Sequence, residues 1–390
     1  MLKKIIWLVF LLPLNLVAVE VDGLYRAEIE VTDQGQDERT RAIVAGFKQV
    51  VVKVTGSRSA ASNQSVISMA AGAGRYVQQY NYKLKSVGEI ADAPVEKTFI
   101  QMTFDKLAVN QMLRDAGLPV WGSQRPQTLA WVGIESNGSR RLLSPETDQQ
   151  IVSMLKSEVY NRGISIMMPL MDLEDQAALN ASDLWGAFEE PVQRASERYS
   201  PDLVATIRLT ISSSGRVSSN WSLIGANDNR RWEHNGKQLA AVTRDGVNDI
   251  ADALAVRYAP VGGSESEMIS MQVENVKSFA DLARVRQLLD KSETVDQYEL
   301  RSAKNDKVIF AMKLRGGVQS FSQAMAITGV LQEAQPSIFA DSNNASNNGL
   351  KTSAGSEPLV SQANQATQVN QVSQAANNLE NDIQLFYRLP

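Results

Sequence analysis

Cysteine is absent from the 390 residues, and histidine occurs once. The first absence removes disulfides, thiol nucleophiles and cysteine-ligated metals. It also removes lipid attachment at a processed N-terminal cysteine. The second leaves no histidine cluster for a metal and only His234 for a serine-histidine-acid triad. His234 lies in the polar stretch RRWEHNGK, no G-x-S-x-G elbow accompanies it, and it reads as a solvated hairpin-tip residue. Walker and G-x-G-x-x-G sequences are missing as well. Ser153 and Lys156 form an S-x-x-K without its companion elements, inside an amphipathic helix, and read as structural. No Lys/Arg run exceeds a pair and the formal net charge is −4, so nucleic acid is not an expected partner. No cofactor is indicated.

Long apolar runs are also scarce, and the one near the N-terminus has a specific layout. Lys3 and Lys4 precede an unbroken run from Ile5 to Leu12; Pro13 and Asn15 interrupt it, and Ala18 is suited to cleavage. This is the pattern of a secretory signal peptide over residues 1–18, too short for a membrane span. Cleavage removes two lysines and no acid, leaving a mature net charge of −6. An exported, cysteine-free chain without a lipoprotein signal is expected in a bacterial periplasm, with no transmembrane segment in the mature form.

Hydrophobic periodicity divides the rest into three folded pieces of α+β and α/β character. Residues 19–122 read as an α+β domain. GLYRAEIEV alternates with period two, and DERTRAIVAGFKQVVVKVTG carries Ile43, Val44, Phe47, Val50, Val51 and Val54 at helical spacing, closed by Gly56. A second helix is expected over 64–80, strands near 82–90 and 96–104, then a short helix. Residues 126–259 read as an α/β sandwich with a mixed sheet. There TLAWVGI, ISIMMPLM and DLVATIRLTI are buried strands, Ser144-Pro145-Glu146 starts a helix ending at Gly163, and a hairpin precedes the closing helix. After the linker PVGGSESE, residues 264–390 give the order β-α-β-β-α, one strand short of a ferredoxin-like βαββαβ module.

The missing strand has one candidate. In residues 341–378, Ser, Thr, Asn, Gln and Ala supply 27 of 38 positions, a composition that cannot bury enough apolar surface to order itself. The chain then finishes with DIQLFYRLP, rich in strand formers. The expectation is a disordered insert over 341–378 and a last strand over 382–389. Closing so long a loop costs little extra, because closure entropy grows with the logarithm of length.

Candidate functional residues are few. Asp172, Glu174 and Asp175 place three carboxylates within four positions, enough for a divalent cation. Asp172 and Asp175 equally suit a helix start. Trp121 and Arg125 lie in a Pro- and Gly-rich junction between the first two domains, and Trp121 and Trp185 are candidate aromatic anchors for a protein partner. Trp221 and Trp232 flank a hairpin turn and suit a cross-strand pair.

The segments GLPVWGSQRPQTLAWV (117–132), RGISIMMPLMDLEDQAAL (162–179) and ASERYSPDLVATIRL (195–209) resemble the exported gammaproteobacterial family called domain of unknown function 2066, over residues 20–260. That resemblance implies export and supplies no activity. The order of elements in the middle domain is similar to the amino-terminal domain of the TolB translocation protein and to other periplasmic assembly modules, which are not enzymes. Together these imply a non-enzymatic periplasmic adaptor or assembly factor that binds other envelope proteins. Two alternatives stand beside it: a hydrolase or metal-dependent enzyme using the carboxylates near Asp172, and a small-ligand binding module in the cleft between the first two domains.

Overall fold

The computed structural model describes residues 20–87, 95–225, 229–259, 267–335 and 383–390. The expected signal peptide, most of the linker before the third piece and the expected insert 341–378 lie outside the described residues. The chain is mixed α/β, its described residues form three sheets, and it divides into two compact units. The first holds the described residues up to 259 together with 315–329; the second holds the described residues of 266–314 and 330–390.

The first unit contains two modules with separate cores. In the N-terminal one, β1 (Arg26–Val31) leads into α1 (Gln36–Thr55). Asp37 and Glu38 complement the helix dipole in the first turn. Phe47, Val50, Val51 and Val54 are buried, and Gly56 ends the helix in the left-handed region at φ 75°, its N–H donating to Val52 O. The helix expected over 64–80 is shorter. α2 (Gln64–Ala70) stops before Gly72 and Gly74, which weaken it, and β2 (Val77–Val87) takes Gln79 and Tyr80 instead. β3 (Val95–Phe104) and α3 (Lys106–Asp115) complete the module, and the antiparallel order is β1-β3-β2. Ile100, Met102 and Phe104 alternate toward α1.

The middle module is built on β4 (Gln127–Ser136), nearly all of it buried. β5 (Ser139–Leu142) returns antiparallel through Asn137-Gly138, both with positive φ. That Asn-Gly pair is a strong hairpin signal. α4 (Gln149–Arg162) does not start at Ser144. Asp148 stands at its N-terminus, accepting from Ser144 N–H and from Arg141, so residues 145–147 form a turn. β6 (Ser165–Met167) pairs parallel with the start of β4. Three short helices follow: α5 (Leu173–Ala178), α6 (Ala181–Trp185) and α7 (Glu189–Ser196). β7 (Leu203–Ile211) lies parallel to β4 on its other side, then β8 (Val217–Ile224) and β9 (Arg230–Gly236) continue antiparallel. This is the mixed sheet expected from the sequence. Trp221 and Trp232 are directly opposed in the β8–β9 register.

His234 is not at a turn. It sits within β9, with Nε2 2.9 Å from Asp249 Oδ2 but off the hydrogen-bond axis. Asp249 belongs to α8 (Leu239–Tyr258), which covers the sheet. α10 (Gly317–Thr328) groups with this first unit, against α8, and so leaves the C-terminal module in which the sequence placed it.

In the second unit, β10 (Glu267–Glu274), α9 (Phe279–Lys291), β11 (Val295–Lys304) and β12 (Lys307–Leu314) keep the expected order. Ser278 and Asp281 form a capping box at the start of α9. The chain's final segment is β14 (Ile383–Arg388), which pairs with β10; β13 (Gln332–Glu333) pairs on its outer side. The sheet order β11-β12-β10-β14 is that of a ferredoxin-like module. The direction of the last strand differs. A second helix returning over the sheet would deliver a strand antiparallel to β10, whereas β14 runs parallel to it. The helix that would have set that direction, α10, belongs to the other unit.

Gly246 in α8 packs face-on to Trp221: a Cβ built there would lie 1.9 Å from the indole. The indole is rigid and fully buried, and its Nε1–H donates to Ser219. Gly246→Ala is therefore expected to destabilise the protein by about 1–3 kcal/mol through overpacking, although alanine is the better helix former. Urea denaturation checks this; a stabilised variant would show that the helix–sheet spacing relaxes freely.

Candidate functional site

Trp121 and Arg125, expected at an open junction, are interior. Trp121 N–H donates to Val54 O at the end of α1, and its indole packs on Gly56. The Arg125 guanidinium stacks 4.1 Å from the Trp121 ring and is 1% exposed. It donates to four carbonyls: Trp121, Gly122, Lys53 near the end of α1, and Gly163 just past the end of α4. Helix carboxyl ends carry partial negative charge, so two of them compensate a cation that has no carboxylate partner. Burial still pushes Arg125 down to about 9. Arg162 of α4 adds a second tie, donating to Gly56 O, Asn248 and Asp252. These side chains fill the junction immediately around Trp121 and Arg125.

Lys53 is the third buried cation of this node. Its ammonium donates to Arg26 O at 2.9 Å and lies 3.6 Å from the centre of the Tyr160 ring. Burial, then the neighbouring Arg125, push it down to about 7; Glu28 pulls the other way. The unfolded-state value is about 10.4. Between the two values the unfolded chain holds a proton that the folded chain does not. Stability from this group is therefore flat below about pH 7 and rises from there toward pH 10, by at most about 1.4 kcal/mol per pH unit. Urea denaturation at pH 6.5, 7.5 and 8.5 should show wild type gaining more than Lys53→Met over the upper interval. Parallel curves would place the Lys53 titration outside this window.

Asp172 and Asp175 meet in a different structure, the loop between β6 and α5. Asp172 is the N-cap of α5, accepting from Asp175 N–H at 3.0 Å. The fully buried Asp175 carboxylate accepts from Met171 N–H, Tyr199 O–H and Arg198. Arg198 also spans both oxygens of Asp172, at 2.8 and 2.9 Å. That pairing, with the Asp175 N–H, holds Asp172 down at about 2. A carboxylate so acidic is a poor proton carrier at neutral pH. Arg198 and the cap occupy the oxygens that a cation would need, and the described residues hold no group of three metal-ligating side chains with suitable geometry. Asp172 as the N-cap of α5 and Asp175 as the acceptor of the Met171 N–H give two of the three acids a structural role.

The same contacts build a rigid knuckle. Met171 has φ 59°, a left-handed conformation costly for a side chain of its size. Its backbone is held on both sides: the N–H by Asp175 and the carbonyl by Gln176 Nε2 at 2.7 Å. Tyr199 Oη accepts from Leu170 N–H. Met171 packs on the core cluster that contains Leu129 and Trp131, while Leu170 and Leu173 are 67% and 85% exposed. The apolar run predicts one buried strand over 164–171. The strand ends at Met167 and Pro169 follows, which turns Leu170 outward.

Trp185 is half-buried over Gly133 of β4, and its Nε1–H donates to Glu135 at 3.0 Å. Arg140 lies 5.2 Å from its ring. It covers the face of the sheet over β4, a strand flanked by β5 and β7, and does not join the knuckle's hydrogen-bond network.

With this geometry in place, comparison with known proteins adds a family match for one module. A family described as Domain of unknown function (DUF8605) matches residues 18–122, the N-terminal module. No curated protein matches the chain. Among solved structures it is similar to the LpoB C-terminal domain from Salmonella enterica, at 12% identity over 33% of this chain and 92% of that one, with TM-score 0.22. An uncharacterized protein shows 13% identity over 34% and 92%, with TM-score 0.15.

Proposed function

We propose that this chain is a non-enzymatic adaptor or assembly factor of the cell envelope that binds other envelope proteins, delivered there by the signal peptide expected over 1–18. The observation that carries the reading is the knuckle. Single exposed leucines are ordinary on a protein surface. Here two flank a strained, fully hydrogen-bonded turn that keeps their backbone fixed. Rigid presentation lowers the ordering cost of association, and strain held in place by a surrounding network is a mark of sites that engage ligands or partners. Glu174 beside them is 70% exposed in its side chain, so a partner pocket that is apolar with a basic rim fits best. The knuckle and its clasp come from segments 162–179 and 195–209, two of the three that resemble domain of unknown function 2066, whose members are exported.

The enzyme reading has no support in the clasp, because Arg198 and the helix start occupy the carboxylates on which it depended. The test is photocrosslinking in cells from a reactive residue at Leu173, with mass spectrometry of what is attached. One dominant envelope protein is expected. Leu170→Ser with Leu173→Ser should abolish its co-purification with the chain and leave the melting temperature within about 2 °C, as exposed side chains contribute little to stability. A partner retained by the double variant would remove the knuckle from the docking surface; nothing attached above background would remove the adaptor reading.

A further inference from the structure

The N-terminal sheet has a second face. α1 covers one side, and the alternate residues of β1, β3 and β2 point to the other. By the register, Arg26 shares a row with Thr103, Glu28 shares the next with Gln101 and Asn81, and Lys83 stands in the third. A cavity of about 470 Å³ lies over this face, walled on one side by Tyr160 of α4.

Its charge runs against that of the chain. Arg26, Lys83, Lys85 and Lys97 against Glu28 and Glu30 leave this face net positive on a chain of formal charge −4. Both acids are engaged: Glu28 by Lys85 and Gln101, Glu30 by Lys97. Arg26 and Lys83 are exposed and make no ion pair among the described residues. Two strand spacings across and four residues along separate their backbones by about 16 Å in ordinary sheet geometry. Between them lie the side-chain amides of Asn81, which offers a donor beside an acceptor, the complement of a peptide group, and of Gln101, whose Nε2 donates to Glu28 and whose Oε1 is left to accept.

We propose that this cavity binds a short acidic peptide in extended form. Its terminal carboxylates meet Arg26 and Lys83, and its backbone hydrogen-bonds to Gln101 and Asn81. At about 3.3 Å per residue, the four intervals of a five-residue peptide span about 13 Å, and the long side chains at each end cover the remaining ~3 Å between the two cations. A guanidinium takes a carboxylate through two parallel hydrogen bonds, which fixes the end of the peptide at Arg26. A sugar is the poorer fit, because the Tyr160 ring already has the Lys53 ammonium on one face. This site is separate from the knuckle and does not depend on the adaptor reading.

The test is isothermal titration calorimetry of the full chain with N-acetylated Glu-Gly-Gly-Gly-Glu, against the same peptide ended by lysines. The acidic peptide should saturate one site, and the lysine peptide should not bind. Arg26→Gln and Lys83→Gln should each weaken binding by about fivefold, the size expected for one exposed charge contact. Arg244→Gln on α8 and the Leu170→Ser, Leu173→Ser double variant should leave it unchanged. Both cations are exposed, so their loss is not expected to unfold the protein, and melting curves verify that. Absence of binding, equal binding of the lysine peptide, or unchanged affinity in both cation variants would overturn the proposal. So would sedimentation with phosphatidylglycerol vesicles that depends on Arg26 and Lys83 without peptide binding, which would make the face a membrane contact.

Discussion

A guanidinium without an acid holds the first unit together. Arg125 is buried against the carboxyl ends of α1 and α4, and among the described residues its hydrogen-bond partners are four carbonyls. Taking a cation out of water costs several kcal/mol unless its surroundings replace the lost hydration. Two helix ends do so here, and each satisfies one of its orphan carbonyls in return. The geometry works only when α1, α4 and the 121–125 segment are all in place. Arg162, which does have an acid partner in Asp252, ties α4 to α8 and to the end of α1, and Lys53 ties α1 to β1. Lysine cannot replace arginine at position 125, since a single ammonium has no planar fork to reach four divergent carbonyls.

The fixed junction bears on both proposed surfaces. Tyr160 stands near the end of α4, so the position of α4 against α1 decides whether the cavity over the N-terminal sheet has a wall. Gly163 follows three residues later and leads into β6, which ends at the knuckle. The knuckle has its own clasp of Asp172, Asp175, Arg198 and Tyr199, but its base is the strand that Arg125 anchors from behind. One charge network orders the junction, and a second orders the loop that displays Leu170 and Leu173.

Much of the fold was legible because it follows local rules. The apolar stripe of α1 and its Gly56 cap, the end of α4 at Gly163, the buried strands β4 and β7, and the hairpin of β8 and β9 all follow from residues within a few positions of one another. The errors are local too. Gly72 and Gly74 shorten α2, Asp148 outcompetes Ser144 as the start of α4 because Arg141 and the Ser144 N–H both bind its carboxylate, and the Asn-Gly turn before β5 was overlooked. Composition and spacing singled out Trp121, Arg125, Asp172, Asp175 and Trp185, and the fold gave each an internal partner. The residues that remain available, Leu170, Leu173, Arg26 and Lys83, carried no motif.

The sequence by itself determined the absence of thiol chemistry, the mixed α/β class, the positions of most strands and helices, and the capping residues at several of their ends. Each of these depends on composition or on contacts within one or two turns of chain. Only the tertiary structure decided which cations are buried, that β14 runs parallel to β10, that α10 joins the first unit, and that the carboxylates near Asp172 close on Arg198. The hydrogen bonds responsible join residues far apart in sequence, Arg125 to Lys53 and Arg198 to Asp172 among them. No local pattern encodes such a pair, because a guanidinium selects any acceptor that the packed elements bring within reach.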